Sequence, residues 1–222
     1  MQNDAPESRR PESRWFHLCL ADDLASPNAF VTTRVGAVPL VAQNIKGRVV
    51  AFRNVCTHRF AVIHSEPAGS GPLRCPYHGW SFDADGVPVG LPFNPTDFQL
   101  EAEGRRRLAL HPAALARCGR LVFVRVAADG PSLEEELGAA LFARLAALSD
   151  AFPQRGAALE PEDGWERIEA ANLRIHQAPD GALVLHSAAP AGAESRFSRT
   201  VTLYPAPAPI TAPITADAEL PA

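Results

Sequence analysis

Cys56 and His58 stand two positions apart, Cys75 and His78 stand three apart, and sixteen residues separate the two pairs. Thiolate sulfur and neutral imidazole nitrogen are metal ligands, and two of each suffice for a closed tetrahedral zinc site. Zinc-finger pairs, however, usually place Cys with Cys and His with His. One Cys and one His from each of two loops suits a binuclear iron–sulfur cluster, in which two thiolates hold one iron and two imidazoles hold the other. Four cysteines in 222 residues are too few for a disulfide scaffold, and two of them already sit beside histidines; that pattern favours metal. The other two, Cys19 and Cys118, lie in apolar runs and read as buried free thiols.

The segments around these pairs must form the loops that present them. "VPLVAQNIKGRVVAFRNVC" reads as strands over 38–43 and 48–55 around a turn at Lys46-Gly47. "WSFDADGVPVG" repeats the design with Asp85-Gly86 at the bend, and "RLVFVRV" over 120–126 is a further strand. The region 14–127 is thus expected to be a small antiparallel β domain, preceded by a polar, disordered segment 1–13. The period then changes. Leu133, Leu137, Leu141, Leu145, Leu148 and Phe152 recur every three or four residues, which predicts one helix over 132–152 with Ser132 and Glu135 as a capping box. A second β-like region starts near Trp165, and residues 205–222 read as an extended or disordered tail rich in Pro and Ala.

The flanks of the two pairs carry a resemblance. C-T-H-R followed by C-P-Y-H-G-W is similar to the Rieske signature of ring-hydroxylating oxygenases. "RWFHLCLADDL", "RVVAFRNVCTHR", "LRCPYHGWSFDADGVPVGLP" and "GRLVFVRV" resemble the N-terminal half of a Rieske non-haem iron oxygenase large subunit, from about Trp15 to Val126. The resemblance implies a [2Fe–2S] cluster with Cys56, His58, Cys75 and His78 as ligands. It implies a flavin or ferredoxin-type reductase as donor, and a complete oxygenase subunit or a homo-oligomer as the assembly. Many members of the family have Gly after Cys-x-His-Arg, where this chain has Phe60. The additional loop cysteines of respiratory Rieske proteins are missing, with Phe60 and Tyr77 at the comparable positions, so a potential near the low end of the Rieske range, about −150 mV, is expected.

The resemblance weakens over 128–204. Members of the family hold a mononuclear iron by two histidines and a carboxylate on one helix. Trp165, Glu169 and Asn172 echo the opening of that motif, but His176 and His186 are too far apart for it. Ala178-Pro179-Asp180-Gly181 is a turn signal with alternating flanks, so 172–187 predicts a β-hairpin. Leu173, Ile175, Leu183 and Leu185 are then expected to face the core, with Arg174, His176, Val184 and His186 outward. An Arg beside the two histidines and no carboxylate on their face argue against a mononuclear Fe(II) site, and no residue is assigned a catalytic role. The expected fold is mainly β: a Rieske antiparallel domain, a helix, and a reduced α+β remnant of the oxygenase catalytic domain.

Composition narrows the function further. A net charge of −4 gives no reason to expect nucleic acid. No apolar run approaches the ~20 residues of a membrane span, and the polar start lacks a secretory apolar stretch; a cytoplasmic location is expected. His17, His64 and His111 have no partners by spacing. Three functions remain: a one-electron carrier of the oxygenase type; an oxygenase whose iron is held by His176, His186 and Glu169 or Asp180; and an assembly partner with no redox role.

Overall fold

The computed structural model describes residues 11–157, 159–190 and 195–205. The greater part of the expected disordered segment 1–13 and of the tail 205–222 lies outside these residues. Pro11–Ser13 form a single helical turn, and Glu12 accepts a hydrogen bond from the Ala127 amide.

Alternating apolar and polar residues build two sheets in the first half. Strands β1 (Phe16–Leu20), β8 (Ala114–Cys118) and β9 (Leu121–Arg125) form an antiparallel sheet in the order β1-β9-β8. Strands β2 (Ala29–Val35), β3 (Val38–Ile45), β4 (Arg48–Arg53) and β5 (Ala68–Ser70) form a second, ordered β4-β3-β2-β5. The turn between β3 and β4 places Lys46 and Gly47 at positive φ, with the Gly47 amide donating to Asn44 Oδ1. A short hairpin of β6 (Ser81–Phe82) and β7 (Pro88–Gly90) follows. Its bend is held by Asp83 Oδ1, which accepts from the Asp85 and Val87 amides, and Gly86 supplies the left-handed φ.

After a short helix α1 (Ala102–Arg107), the helix expected over 132–152 is two helices, α2 (Leu133–Leu137) and α3 (Ala139–Ala151). The capping box forms as expected, with the Glu135 amide on Ser132 Oγ and the Ser132 amide on Glu135 Oε2. Gly138 breaks the run because it sits at φ 80, ψ 143, outside the helical region, while its amide still closes α2 on Glu134 O. The leucine stripe survives the break: Leu133 and Leu145 are buried, and Leu137, Leu141, Leu148 and Phe152 pack beside them.

The second β region is a five-stranded sheet of β10 (Gln154–Arg155), β11 (Glu166–Ala170), β12 (Leu173–Gln177), β13 (Leu183–Ser187) and β14 (Arg199–Tyr204), in the order β10-β14-β13-β12-β11. The 172–187 hairpin has the expected register, Arg174 opposite His186 and His176 opposite Val184. Leu173, Ile175, Leu183 and Leu185 are buried in the same core as Trp15, Leu20, Phe123, Leu133 and Leu145. That core runs across residue 127 and joins the two halves of the chain. Val184, expected outward, is buried. Strand β13 has neighbours on both sides, and the Leu159 amide reaches across to Oγ1 of Thr202, the cross-strand partner of Val184.

The junction is also polar. Asn172 Oδ1 accepts from the His17 amide at 2.6 Å, and its Nδ2 donates to His17 O at 3.1 Å and Ala188 O at 2.9 Å. His17 Nδ1 bonds Ser187 Oγ, so the partner that spacing could not find lies across the two sheets. Arg199 donates to the carbonyls of Leu18, Thr32 and Pro67, which ties β14 to both N-terminal sheets.

Candidate functional site

The two Cys/His loops share one backbone frame. In the first, the Cys56 amide donates to Ala61 O at 2.8 Å and the Phe60 amide to Cys56 O at 2.9 Å. In the second, the Cys75 amide donates to Trp80 O at 2.8 Å and the Gly79 amide to Cys75 O at 3.0 Å. Each turn ends at a residue with positive φ, Phe60 at 59° and Gly79 at 72°. An extra rung closes each loop from outside, Val55 with Val62 and Arg74 with Ser81. Cys-x-His and Cys-x-x-His are therefore two fillings of the same turn. Phe60 stands where the frame favours glycine, at a cost of about 1 kcal/mol.

Side chains outside the turns fix the frames. Buried Asn54 donates to His64 O at 2.7 Å and accepts the His64 amide at 2.9 Å, and Thr57 Oγ1 donates to Leu108 O. His64 Nε2 also meets Gln43 Oε1 at 3.2 Å, and its ring stacks on Phe30. Arg74 Nε donates to Gly79 O. Cys56 and Cys75 are buried in a small core with Trp80, Phe82, Phe52 and Leu110. Cys19 and Cys118 are buried elsewhere, and all four thiols are free.

The frames bring the four side chains together in like pairs. The Cys56 and Cys75 thiols are neighbours: burial first and Cys75 second push the Cys56 thiol up, while the His58 and Arg59 amides pull it down. The His58 and His78 rings lie 4.8 Å apart. Trp80 stacks on His58 at 4.6 Å with an interplanar angle of 4°, and Phe98 meets both rings edge-on. Tyr77 packs edge-on against His78, which is exposed. Burial, then the neighbouring His78 and Arg59, hold His58 below its ordinary value and in the neutral form a metal requires. His58 Nδ1 is buried and has no hydrogen-bond partner. A nitrogen of that kind is expected to have a ligand, and the donor set, two thiols beside two imidazoles, fits a [2Fe–2S] cluster held by two Cys and two His.

A family model described as "Rieske [2Fe-2S] domain" matches residues 14–107. Residues 14–107 form a Rieske domain. The terephthalate 1,2-dioxygenase terminal oxygenase subunit alpha 2 of Comamonas sp. is 32% identical over 142 residues, covering 59% of this chain and 33% of that protein. The glycine betaine monooxygenase oxygenase subunit of Chromohalobacter salexigens is 29% identical over 130 residues, covering 57% and 28%. The chain is homologous to the large subunits of ring-hydroxylating oxygenases, and the alignments span about a third of those relatives. In fold, the chain is similar to a quaternary ammonium Rieske monooxygenase, with TM-score 0.61 at 15% identity over 86% of this chain and 68% of that one. It is also similar to naphthalene 1,2-dioxygenase from Rhodococcus sp., with TM-score 0.63 at 16% identity over 89% and 69%. The likeness in fold thus reaches the C-terminal sheet, beyond the Rieske domain.

On that sheet the second pair of histidines is arranged differently. Arg167 stands opposite His176 and Arg174 opposite His186. Against the expectation of no carboxylate on this face, Glu169 stands on it opposite Arg174 and lies 3.4 Å from both guanidinium groups; Asp180 Oδ1 accepts from Ala182 in the hairpin turn, and His186 Nδ1 meets Thr200 Oγ1 at 3.0 Å. Burial, with Arg167 and Arg174 next, lowers the His176 pKa. Asn172, an echo of the iron motif in sequence, is the clip to His17. No helix of the described residues is long and apolar enough to cross a membrane.

Proposed function

We propose that this chain is a one-electron carrier of the ring-hydroxylating oxygenase type, with Cys56 and Cys75 holding one iron of a [2Fe–2S] cluster and His58 and His78 the other. The observation that carries the reading is the shared loop frame, which sets thiol beside thiol and imidazole beside imidazole, with His58 Nδ1 left for a ligand. When bound, the cluster supplies reversible storage of one electron.

The residues of the chain do the rest. The Cys56 and Cys75 amides are spent closing the two turns, so the thiolates are held by rigid backbone. Trp80 and Phe98 cover His58 and exclude water on that side. His78, exposed and edged by Tyr77, leaves the other side open for exchange. A flavin or ferredoxin-type reductase is the donor in this reading, and the mononuclear iron of a complete oxygenase subunit is the acceptor. Arg167 and Arg174 among His176, His186 and Glu169 place positive charge where a divalent cation would sit, which weighs against an iron of the chain's own.

Iron and sulfide analysis with EPR tests the reading. Two irons and two sulfides per chain, with a Rieske signal on reduction, are expected. A third iron in stoichiometric amount would replace the carrier by an oxygenase, and a chain that binds no cluster would leave only an assembly role.

A further inference from the structure

The two edges of the five-stranded sheet are built differently. At one edge β10 is two residues long, which blunts it. At the other, β11 runs for five residues and pairs with β12 without a bulge. Among the described residues, no strand and no isolated bridge pairs with the outer side of β11. The strand contains no proline and no lysine; Glu166, Arg167 and Glu169 are exposed and Ile168 is half-buried. A row of unpaired N–H and C=O groups is a template for a further strand. The charges are the remaining obstacle, and their order decides what can pair.

The hydrogen bonds of β12 show which groups of β11 are on offer. The Ala188 amide donates to Asn172 O, and the Ala178 amide donates to Ala182 O. Bonding direction alternates along an antiparallel strand, so the even-numbered positions of β12 turn to β13 and the odd-numbered ones to β11. Leu173, Ile175 and Gln177 therefore bond Ala170, Ile168 and Glu166. The N–H and C=O groups of Arg167 and Glu169 point out of the edge. An antiparallel copy of β11 must set outward residues against outward residues. Its centre is then Arg167 on Arg167, Glu169 on Glu169, or Ile168 on Ile168. The first two put like charges directly opposite; only the third puts each Arg167 opposite a Glu169.

We infer that β11 is a self-association edge: a second copy of this chain adds its own β11 antiparallel, about a two-fold axis at Ile168, with Arg167 of each copy opposite Glu169 of the other. Such a contact uses the same patch on both copies and closes at a dimer. Each Arg167–Glu169 pair exchanges both of its N–H···O bonds, and the Ile168 pair between them is the close, non-hydrogen-bonded kind, with Cα atoms about 4.5 Å apart. Ile168 already packs on the core of the C-terminal sheet, so this pair carries that core across the axis. Below the edge, Arg144 of α3 pairs with Glu166. Ala140 and Ala147, one helical turn to either side of Arg144, are exposed and small, which leaves room for the approach. Nothing in the contact involves the cluster, so a chain that binds no iron would leave it standing.

Sedimentation equilibrium of the cluster-loaded chain tests the pairing. A monomer–dimer equilibrium is expected. Arg167→Glu and Glu169→Arg, each of which sets two like-charge pairs across the axis, are expected to weaken the dimer about tenfold. The exchange Arg167→Glu/Glu169→Arg restores opposite charges and should bring the dissociation constant back to within about threefold of the original. Amide hydrogen exchange reads the register directly. The Arg167 and Glu169 amides should exchange at least tenfold more slowly in concentrated than in dilute protein, whereas the Ile168 amide, bonded within the chain, should not respond. A chain that stays monomeric, a trimer untouched by either charge reversal, or a double exchange as weak as the single ones would each overturn the edge pairing. Should a variant fail to fold, the unmodified chain still decides: exchange at Arg167 and Glu169 that ignores concentration refutes the inference.

Discussion

The Rieske loops and the C-terminal sheet each carry two histidines, and the difference between them lies in what surrounds the imidazoles. His58 and His78 arrive on two copies of one turn, next to two thiols, with rings 4.8 Å apart. His176 and His186 arrive on neighbouring strands, where the pleat sets them diagonally and puts Arg167 and Arg174 across from them. A turn can aim two side chains at one point, whereas a flat sheet face spreads them on a lattice fixed by strand spacing. Proximity in sequence is therefore a poor guide to ligation unless the backbone converges.

The largest effect should come from breaking the converging pair. Cys75→Ser is expected to abolish the visible colour and the reduced-state EPR signal, while Cys118→Ser, in the other core, leaves both intact. A normal Rieske spectrum in Cys75→Ser would sink the ligand assignment. The next effect concerns acid. Burial, then Arg199, holds the His17 pKa down at about 3 from 6.5. The folded state thus binds fewer protons at this site than the unfolded one. Stability is full above pH 6.5 and is lost as pH falls towards 3, by up to about 1.4 kcal/mol per pH unit. Urea midpoints between pH 7 and 4.5 should show this slope, and His17→Gln should flatten it.

A smaller effect belongs to the clip. Asn172→Ala removes three hydrogen bonds to His17 and Ala188 and should cost about 2–3 kcal/mol in urea unfolding, with the cluster spectrum retained. If Asn172 served an iron site instead, the loss would appear in metal content. The smallest effect is expected from His176→Ala/His186→Ala, within about 1 kcal/mol in stability and without change in cluster content. Loss of a bound iron from that double variant would erase the contrast between the two regions.

Local chemistry made much of this legible. The four cluster-side residues stood out by type and spacing, and the 172–187 hairpin by its Pro-Asp-Gly turn and alternation, with the observed register. The less legible features are those that depend on distant segments. Gly138 interrupts a leucine stripe that continues through it, so periodicity alone gives one helix where there are two. Val184 is buried because of neighbours on both sides, which its own strand does not reveal. Asn172 and His17 are 155 positions apart, so their pairing leaves no local pattern. Phe60 belongs with the less legible features, since its φ of 59° places a bulky residue in the left-handed region that its type does not announce.

The bond from His17 to Ser187 spans 170 positions, and that separation has a consequence for biosynthesis. Strand β1 leaves the ribosome well before the strands that bury its inner face. At the usual pace of translation, about 5–20 residues per second, Trp15 and Leu20 must wait many seconds for Leu173, Leu183 and Leu203 to emerge. The nascent chain holds an unfinished apolar surface during that interval. Chaperone capture, slow codons or cofactor loading before release would each act on a molecule in which β1 is still waiting for β14.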